Sequence, residues 1–347
     1  MITKRVLTAL ALATALGVGG YFVWKASHTP QQSVSASAEK PTIVINEAAR
    51  TLLYLPLYHA QEAGYFADEG LNVKIVTGGS ATNAVAAIIS GEADVAQADP
   101  MYAPISQEKG SDVVVIGQIV GRIGLWALAR PGTNIPFSGE GLKGSTIITH
   151  PKPMTSHTYA ELFLLQNGLK ENDATFIEAK PGTEVATYAA ETRAQFIVTV
   201  EPVASILEGQ GAKIVHSWPD ELGDRVFSGL MVRRSEIVAK PDQFRRLLKA
   251  YQRALDDIAA KRPNVTETAQ KFFPNIDGSV LQKALARLTD EHVFPRTLGI
   301  SQASWQGAVL ARQKAGEIQG GAPFSKNVEP SLLSATSKKS CEDIARY

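Results

Sequence analysis

The run Gly64-Tyr65-Phe66-Ala67-Asp68-Glu69-Gly70-Leu71-Asn72-Val73 leads to Gly78-Gly79-Ser80 and then to Ser90-Gly91-Glu92-Ala93-Asp94-Val95-Ala96, and it restricts the fold more than any other part of the chain. Gly64 is placed to end a helix over about 56–63, and 71–77 reads as a strand. The paired glycines permit a tight turn, after which Ser80 can cap a helix. In that helix Val85, Ile88 and Ile89 recur at helical spacing, Ser90-Gly91 closes it, and 93–98 re-enters the sheet before Asp99-Pro100. Strand, helix and strand in this order imply parallel connections with the variable loops at one sheet edge, the layout of a ligand-binding α/β lobe.

A related pattern recurs downstream: Lys180-Pro181-Gly182-Thr183, a helical segment through Thr192, a strand over 196–200, and Glu201-Pro202. Two lobes that each present a turn before a helix and an acid at a strand end could face one shared cleft. Other strands are expected at 42–45, 113–120, 146–149 and 227–232, with an extended segment at 124–130 and a crossing region at 131–136. Helices at about 242–260, 265–273 and 279–288 would brace the first lobe, while the weakly patterned end receives no element. The resulting division is 1–40 as an export signal or N-terminal anchor plus linker, 41–128 with 229–320 as lobe 1, 129–228 as lobe 2, and 321–347 as a tail.

Lys4 and Arg5 precede an apolar run from Val6 to Trp24, the order of an export signal, and Ala36-Ser37-Ala38 would suit a signal peptidase. An uncleaved anchor is the competing assignment; either way the bulk of the chain is expected in the periplasm. The sole cysteine, Cys341, excludes an internal disulfide framework and offers no thiol for an N-terminal lipid. A formal net charge of +1 does not suggest nucleic-acid binding. Gly-x-Ser-x-Gly is absent, and neither a nucleophile supported by a base nor a spaced carboxylate pair is visible, so a non-enzymatic role without cofactor is expected.

The run 63–73, with Gly79-Ser80, Ser90-Gly91-Glu92-Ala93-Asp94, Leu142-Lys143-Gly144 before a strand, Thr155-Ser156 before a helix, Glu201-Pro202 after a strand and the returning Val232 segment ahead of Pro241, resembles the SsuA/THI5-like (NMT1-like) substrate-binding proteins of ABC importers. The resemblance covers about residues 41–260. It implies a type II periplasmic-binding-protein fold: two α/β lobes with mixed, mainly parallel sheets and two crossing strands, closing around a small-molecule solute delivered to ABC permease membrane subunits, with the binding protein monomeric. The family is associated with nitrate, alkanesulfonates, taurine and thiamine-pyrimidine precursors. This chain departs from the pattern at Glu191-Thr192-Arg193-Ala194-Gln195, where Ser-Gly-Glu-Val-Asp is common, and at Val200, where an aromatic often precedes Glu-Pro.

The candidate ligand contacts follow from residue chemistry. Thr155 and Ser156 open a helix whose free N–H groups can face an anion or carbonyl, and Ser80 has the same physics with Gly79 allowing close backbone approach. Arg50 and Arg122 follow strands and could each grip an oxyanion, a solvated surface position being the alternative for both. Asp99 and Glu201 sit between a strand and a proline, where they could accept from an amine or ring N–H or stabilise a turn. His157 and Tyr54 complete the set, and His59 and His150 have no carboxylate or cysteine at metal-site spacing, so no metal is expected. Arginine and glutamate together in the cleft would suit a sulfonate or taurine-like zwitterion. The alternative is an enzyme or binding protein acting on a thiamine-type pyrimidine precursor or another aromatic heterocycle.

Overall fold

The computed structural model describes residues 40–333. The signal, anchor and cleavage expectations for the N-terminal segment, and Cys341, lie outside those residues. Ten strands are present among them: β1 (Thr42–Glu47), β2 (Asn72–Thr77), β3 (Val95–Ala98), β4 (Val113–Arg122), β5 (Trp126–Ala129), β6 (Thr146–Thr149), β7 (Thr175–Glu178), β8 (Phe196–Thr199), β9 (Lys213–Ser217) and β10 (Asp224–Arg233). They form two five-stranded sheets of order β2-β1-β3-β10-β4 and β7-β6-β8-β5-β9. In the first, β1 runs parallel to β2 and β3 while β10 is antiparallel to β3 and β4; in the second, β6 runs parallel to β7 and β8 while β5 is antiparallel to β8 and β9. The two sheets therefore repeat one plan, with β1, β2 and β3 corresponding to β6, β7 and β8. The weak sequence echo between 79–99 and 182–201 is this topological repeat: in each lobe a helix, Ala81–Ser90 or Glu184–Ala190, returns to the central strand whose end carries Asp99 or Glu201.

Only three residues, Ile123-Gly124-Leu125, connect β4 of the first sheet to β5 of the second, and the short helix Trp218–Leu222 leads from β9 back to β10. The crossing lies ahead of the 131–136 region suggested by its prolines. β5, which the pattern divides between the lobes, lies wholly in the second sheet because all four of its residues are buried between β8 and β9. Likewise the return falls at the start of β10, residue 224, before the 228/229 boundary. Together the sheets and their crossings make the two-lobed type II periplasmic-binding-protein architecture.

The helices Pro241–Ala259, Pro263–Phe272 and Gly278–Asp290 fall where periodicity places them. The first buries Phe244, Leu247, Leu248, Tyr251, Leu255 and Ile258, one apolar stripe at helical spacing, in the same core as Leu57 and Tyr58 of the helix Leu55–Glu62. A further helix, Gln302–Lys314, buries Trp305, Ala308, Val309 and Arg312 in the same manner, and its tryptophan joins the core containing Met231 of β10. Residues 324–327 and 330–332 form short helical turns within the stretch left without an element, and Val328 bridges to Val115 of β4. Among the described residues no helix is long and apolar enough to cross a membrane.

Candidate ligand cleft

A cavity of about 390 Å³ lies where the strand ends of the two lobes meet. Its lining includes Ala48 after β1, Asp99 after β3, His150 after β6 and Val200 and Glu201 after β8, so it occupies the crevice outside the carboxyl ends of the parallel strands. Most of the wall is apolar, from residues such as Leu53, Leu125, Val185, Ile206, Phe227 and Phe273. Of the sequence-derived candidates, Arg50, Tyr54, Asp99, Thr155, Ser156 and Glu201 line this space. Gly79 and Ser80 line an adjoining outer hollow of about 590 Å³ together with Arg50, Lys152 and Lys180.

Thr155 and Ser156 form the first turn of the helix Thr155–Gln166. The first main-chain bonds of that turn run from His157 N and Thr158 N to the Met154 carbonyl, which leaves the Thr155 and Ser156 amides without an intrahelical partner. Ser156 Oγ accepts the His150 amide N–H at 3.0 Å and lies 2.8 Å from His150 Nδ1, while His150 Nε2 is 2.8 Å from Glu184 Oε1. Tyr54 Oη is 3.2 Å from Ser228 Oγ. Two hydroxyl protons serve that one hydrogen bond, so one remains for the cavity, and burial pushes the Tyr54 phenol far above its ordinary range, which keeps that proton in place.

The two acids are committed to the protein rather than to a ligand. Asp99 accepts Met101 N–H at 2.9 Å and Thr155 Oγ1–H at 2.7 Å, and it pairs with Arg312. Glu201 accepts Ser205 N–H at 3.0 Å and Ser205 Oγ–H at 2.9 Å, and it pairs with Arg287. Its side chain is fully buried, and that burial raises its carboxyl above the usual value against the opposing pull of Arg287. Both acids line the site, yet each already accepts three donors including an arginine, so a structural role fits them better than accepting from a ligand amine. Arg312 also donates to Thr155 Oγ1 at 2.9 Å, to Thr158 Oγ1 at 2.8 Å and to the Pro153 carbonyl at 3.2 Å. It thereby joins the first-lobe Asp99 to the second-lobe helix start. Thr51 Oγ1, donating to the Glu201 carbonyl at 3.0 Å, is a second link between lobes.

The other candidates sit as follows. Arg50 is half exposed at the mouth, 3.0 Å from Glu47 and 4.8 Å above the Tyr58 ring, so its charge is shared with a buried acid. Ser80 Oγ accepts Asn83 N–H at 3.1 Å as a helix cap, behind Gly79 in the left-handed region at φ 79°. Arg122 does not line the cavity: β4–β10 pairing turns its guanidinium to Asp224, 3.1 Å away, and to the Glu291 carbonyl at 3.3 Å. His157 is also off the cavity, buried with its ring on Phe176 and Nδ1 3.2 Å from Thr149 Oγ1. Helical spacing carries His157 away, since it lies two residues past Thr155 and turns to another helix face.

Three contributors escape the sequence patterns: Arg287, Arg312 and the His150–Glu184 pair. For Arg312 a signal exists, because an arginine four residues after Ala308 and seven after Trp305 falls on the buried stripe of its helix. His150 touches Glu184 across 34 residues, a separation that no local motif encodes.

Comparison with known proteins places this geometry among relatives. The Bacillus subtilis protein YtlA is 22% identical over 305 residues, covering 86% of this chain and 90% of that protein. The 4-amino-5-hydroxymethyl-2-methylpyrimidine phosphate synthase THI11 of Saccharomyces cerevisiae is 23% identical over 271 residues, 72% of this chain and 76% of THI11. The alkanesulfonate-binding protein SsuA from Xanthomonas axonopodis pv. citri, solved bound to MOPS, shares the fold with a TM-score of 0.71 at 16% identity, over 85% of this chain and all of that one. The family model described as NMT1/THI5 like matches residues 53–264. With more than half of its length inside that match, the chain belongs to the NMT1/THI5-like family.

Proposed function

We propose that the chain is the extracytoplasmic solute-binding component of an ABC importer, acting as a monomer that closes two lobes around a small organic anion and presents it to permease membrane subunits. The observation that carries this reading is the cavity of about 390 Å³ walled by both lobes, a volume suited to a small solute. Its outer hollow is rimmed by Arg50, Lys152 and Lys180; Arg50 pairs with Glu47 and Lys152 with Glu161 and Glu171, so the attraction for an anion rests mainly on Lys180. Inside, an oxyanion finds the Thr155 and Ser156 amides at a helix N-terminus and the spare Tyr54/Ser228 proton, while an apolar body finds Leu53, Val185 and Phe227. A zwitterion such as taurine is the poorer fit, because Asp99 and Glu201 each already accept three donors, an arginine among them, which leaves little acceptor strength for its ammonium. A sulfonate or carboxylate on an aliphatic or aromatic body is the better one. The charged and apolar N-terminal segment supports export to the periplasm, as cleaved signal or anchor, which fractionation with and without residues 1–38 decides.

The test is a thermal-shift and calorimetric panel of alkanesulfonates, arenesulfonates, aromatic carboxylates, taurine, nitrate and pyrimidines, since a ligand that binds only the folded state raises the melting temperature. Saturable binding of an apolar-bodied anion, with taurine weaker than its amine-free counterpart, is expected. Taurine binding as tightly as that counterpart would remove the anion reading. The enzymatic alternative on a pyrimidine or other heterocycle draws on the activity in THI11's name and on the contact chain Ser156–His150–Glu184, in which a hydroxyl meets a base held by an acid. Against it, the same Ser156 Oγ already accepts a main-chain N–H. Product formation from any panel member, followed by mass spectrometry, would favour the enzyme.

A further inference from the structure

The helix Thr155–Gln166 has a second polar cluster away from the cavity. His157 and Glu161 lie one turn apart on it, and Glu171 in the short turn Glu171–Asp173 comes back beside them, so that one ligand atom from each lies within 4.8 Å of the others. His157 is 4% and Glu161 9% exposed, and two of their atoms, His157 Nε2 and Glu161 Oε2, are buried without a hydrogen-bond partner. Buried polar atoms are rarely left so.

The ring is held as a metal ligand would be. With Nδ1 hydrogen-bonded 3.2 Å from Thr149 Oγ1 and the ring 4.6 Å from Phe176, Nε2 is directed at the carboxylates. In the tautomer that donates Nδ1–H to Thr149 Oγ1, Nε2 presents a lone pair 3.6 Å from Glu171 Oε1, an arrangement that a cation between the two would satisfy. Lys152 Nζ reaches 3.0 Å from an oxygen of each acid, hydrogen-bonding Glu171 and ion-pairing with Glu161 Oε2, and leaves His157 Nε2 unsatisfied. We propose that His157, Glu161 and Glu171 form a site for a divalent transition cation of the zinc type, which displaces the Lys152 ammonium.

Donors bound tetrahedrally at about 2.0–2.1 Å sit roughly 3.3–3.4 Å from one another, so the His157–Glu171 pair at 3.6 Å needs little contraction and a pair at the 4.8 Å limit would need about 1.4 Å. One imidazole nitrogen and two carboxylates suit zinc better than calcium or magnesium, which take more oxygens. Lys152 and Glu171 have side chains 41% and 42% exposed, which gives the ion a path in and leaves a fourth position for water. The displaced ammonium has somewhere to go, because Lys152 already lines the outer hollow of the cleft. A histidine and an acid four residues apart at the start of a helix are the sequence signal that assigning no metal overlooks.

The test is calorimetric titration of zinc chloride into the full chain after chelator treatment, with melting temperature followed in parallel. One zinc per chain with a raised melting temperature is expected. Glu171→Gln should weaken zinc roughly tenfold or more, His157→Ala should do the same, and Lys152→Ala should tighten it by removing the competing ammonium. Glu171 is half exposed, so its variant still decides the matter if His157→Ala fails to fold. No saturable zinc binding by the wild-type chain, or binding undiminished in Glu171→Gln, overturns the proposal.

Discussion

Arg312→Met tests how the cleft is held. The guanidinium is 1% exposed, pairs with Asp99 and Glu317, and makes three further hydrogen bonds to Thr155, Thr158 and the Pro153 carbonyl. Methionine keeps most of the packing volume and strands two carboxylates in a buried space without a cation. Removing one partner of a buried pair costs about 3–5 kcal/mol, whereas an exposed pair contributes about 1 kcal/mol or less. Asp99 retains Met101 N–H and Thr155 Oγ1–H, and Glu317 retains the Thr158 hydroxyl, so the lower end, about 3 kcal/mol, is expected. An unfolding entropy of roughly 2 cal/mol/K per residue gives about 0.6 kcal/mol/K for a unit this size, and hence a fall in melting temperature of about 5 °C. Calorimetric melting with urea titration reads both quantities. Adding Asp99→Asn should recover part of the loss, since one stranded charge disappears with it. A loss below about 1 kcal/mol, or a double variant no better than the single one, would show that the cluster is solvated and the reasoning wrong.

Four further outcomes are expected. Ser156→Ala should weaken binding of an apolar-bodied anion about five- to tenfold by calorimetry, the value of one hydrogen bond, and should also lower the melting temperature of the ligand-free chain by a few degrees, because the buried His150 amide N–H loses its acceptor. Arg122→Ala should leave that affinity within about twofold, because the guanidinium is held by Asp224 outside the cavity; a larger loss in titration would return it to the site. Gly229→Ala should cost about 1–3 kcal/mol in urea unfolding, since a Cβ there would stand 2.8 Å from the Gly117 carbonyl oxygen across the β4–β10 ladder. Burial among Phe137, Phe163 and Trp218 holds the His216 imidazole below its ordinary value, with Glu221 pulling the other way. The folded chain thus takes up that proton less readily than the unfolded one, and its contribution to stability is present above pH about 6.5 and lost as pH falls through the folded value; His216→Gln should flatten the decline measured from pH about 7 to 5.

The sequence makes the frame legible where local physics decides it. β6 is placed to the residue because its apolar, β-branched run is bounded by turn residues, and the three helices after Pro241 show their stripes plainly. The cavity-lining positions of Asp99, Thr155, Ser156 and Glu201 are legible too, since the ends of parallel strands and the starts of helices must face the crevice. β7 and β9 are harder: at four or five residues and only partly buried, they offer little periodicity, and their pairing is fixed by partners far along the chain.

Roles are less legible than places, and the reason is electrostatic. An acid at a strand end can serve a ligand only if no cation reaches it first, and the cations here come from helices 86 residues beyond Glu201 and 213 beyond Asp99. Once Arg287 and Arg312 occupy those acids, the charges become struts between the lobes, and under the function proposed above discrimination among solutes would pass to uncharged groups: the Thr155 and Ser156 amides, the Ser156 hydroxyl and the Tyr54–Ser228 pair. Such groups separate solutes through hydrogen bonds that a poor ligand leaves unmade in a dry pocket, a penalty that persists when salt has screened the rim arginine and lysines. Raising ionic strength should therefore slow association with the mouth while leaving the ranking of anions within the panel unchanged. A reversed ranking at high salt would place discrimination at the rim.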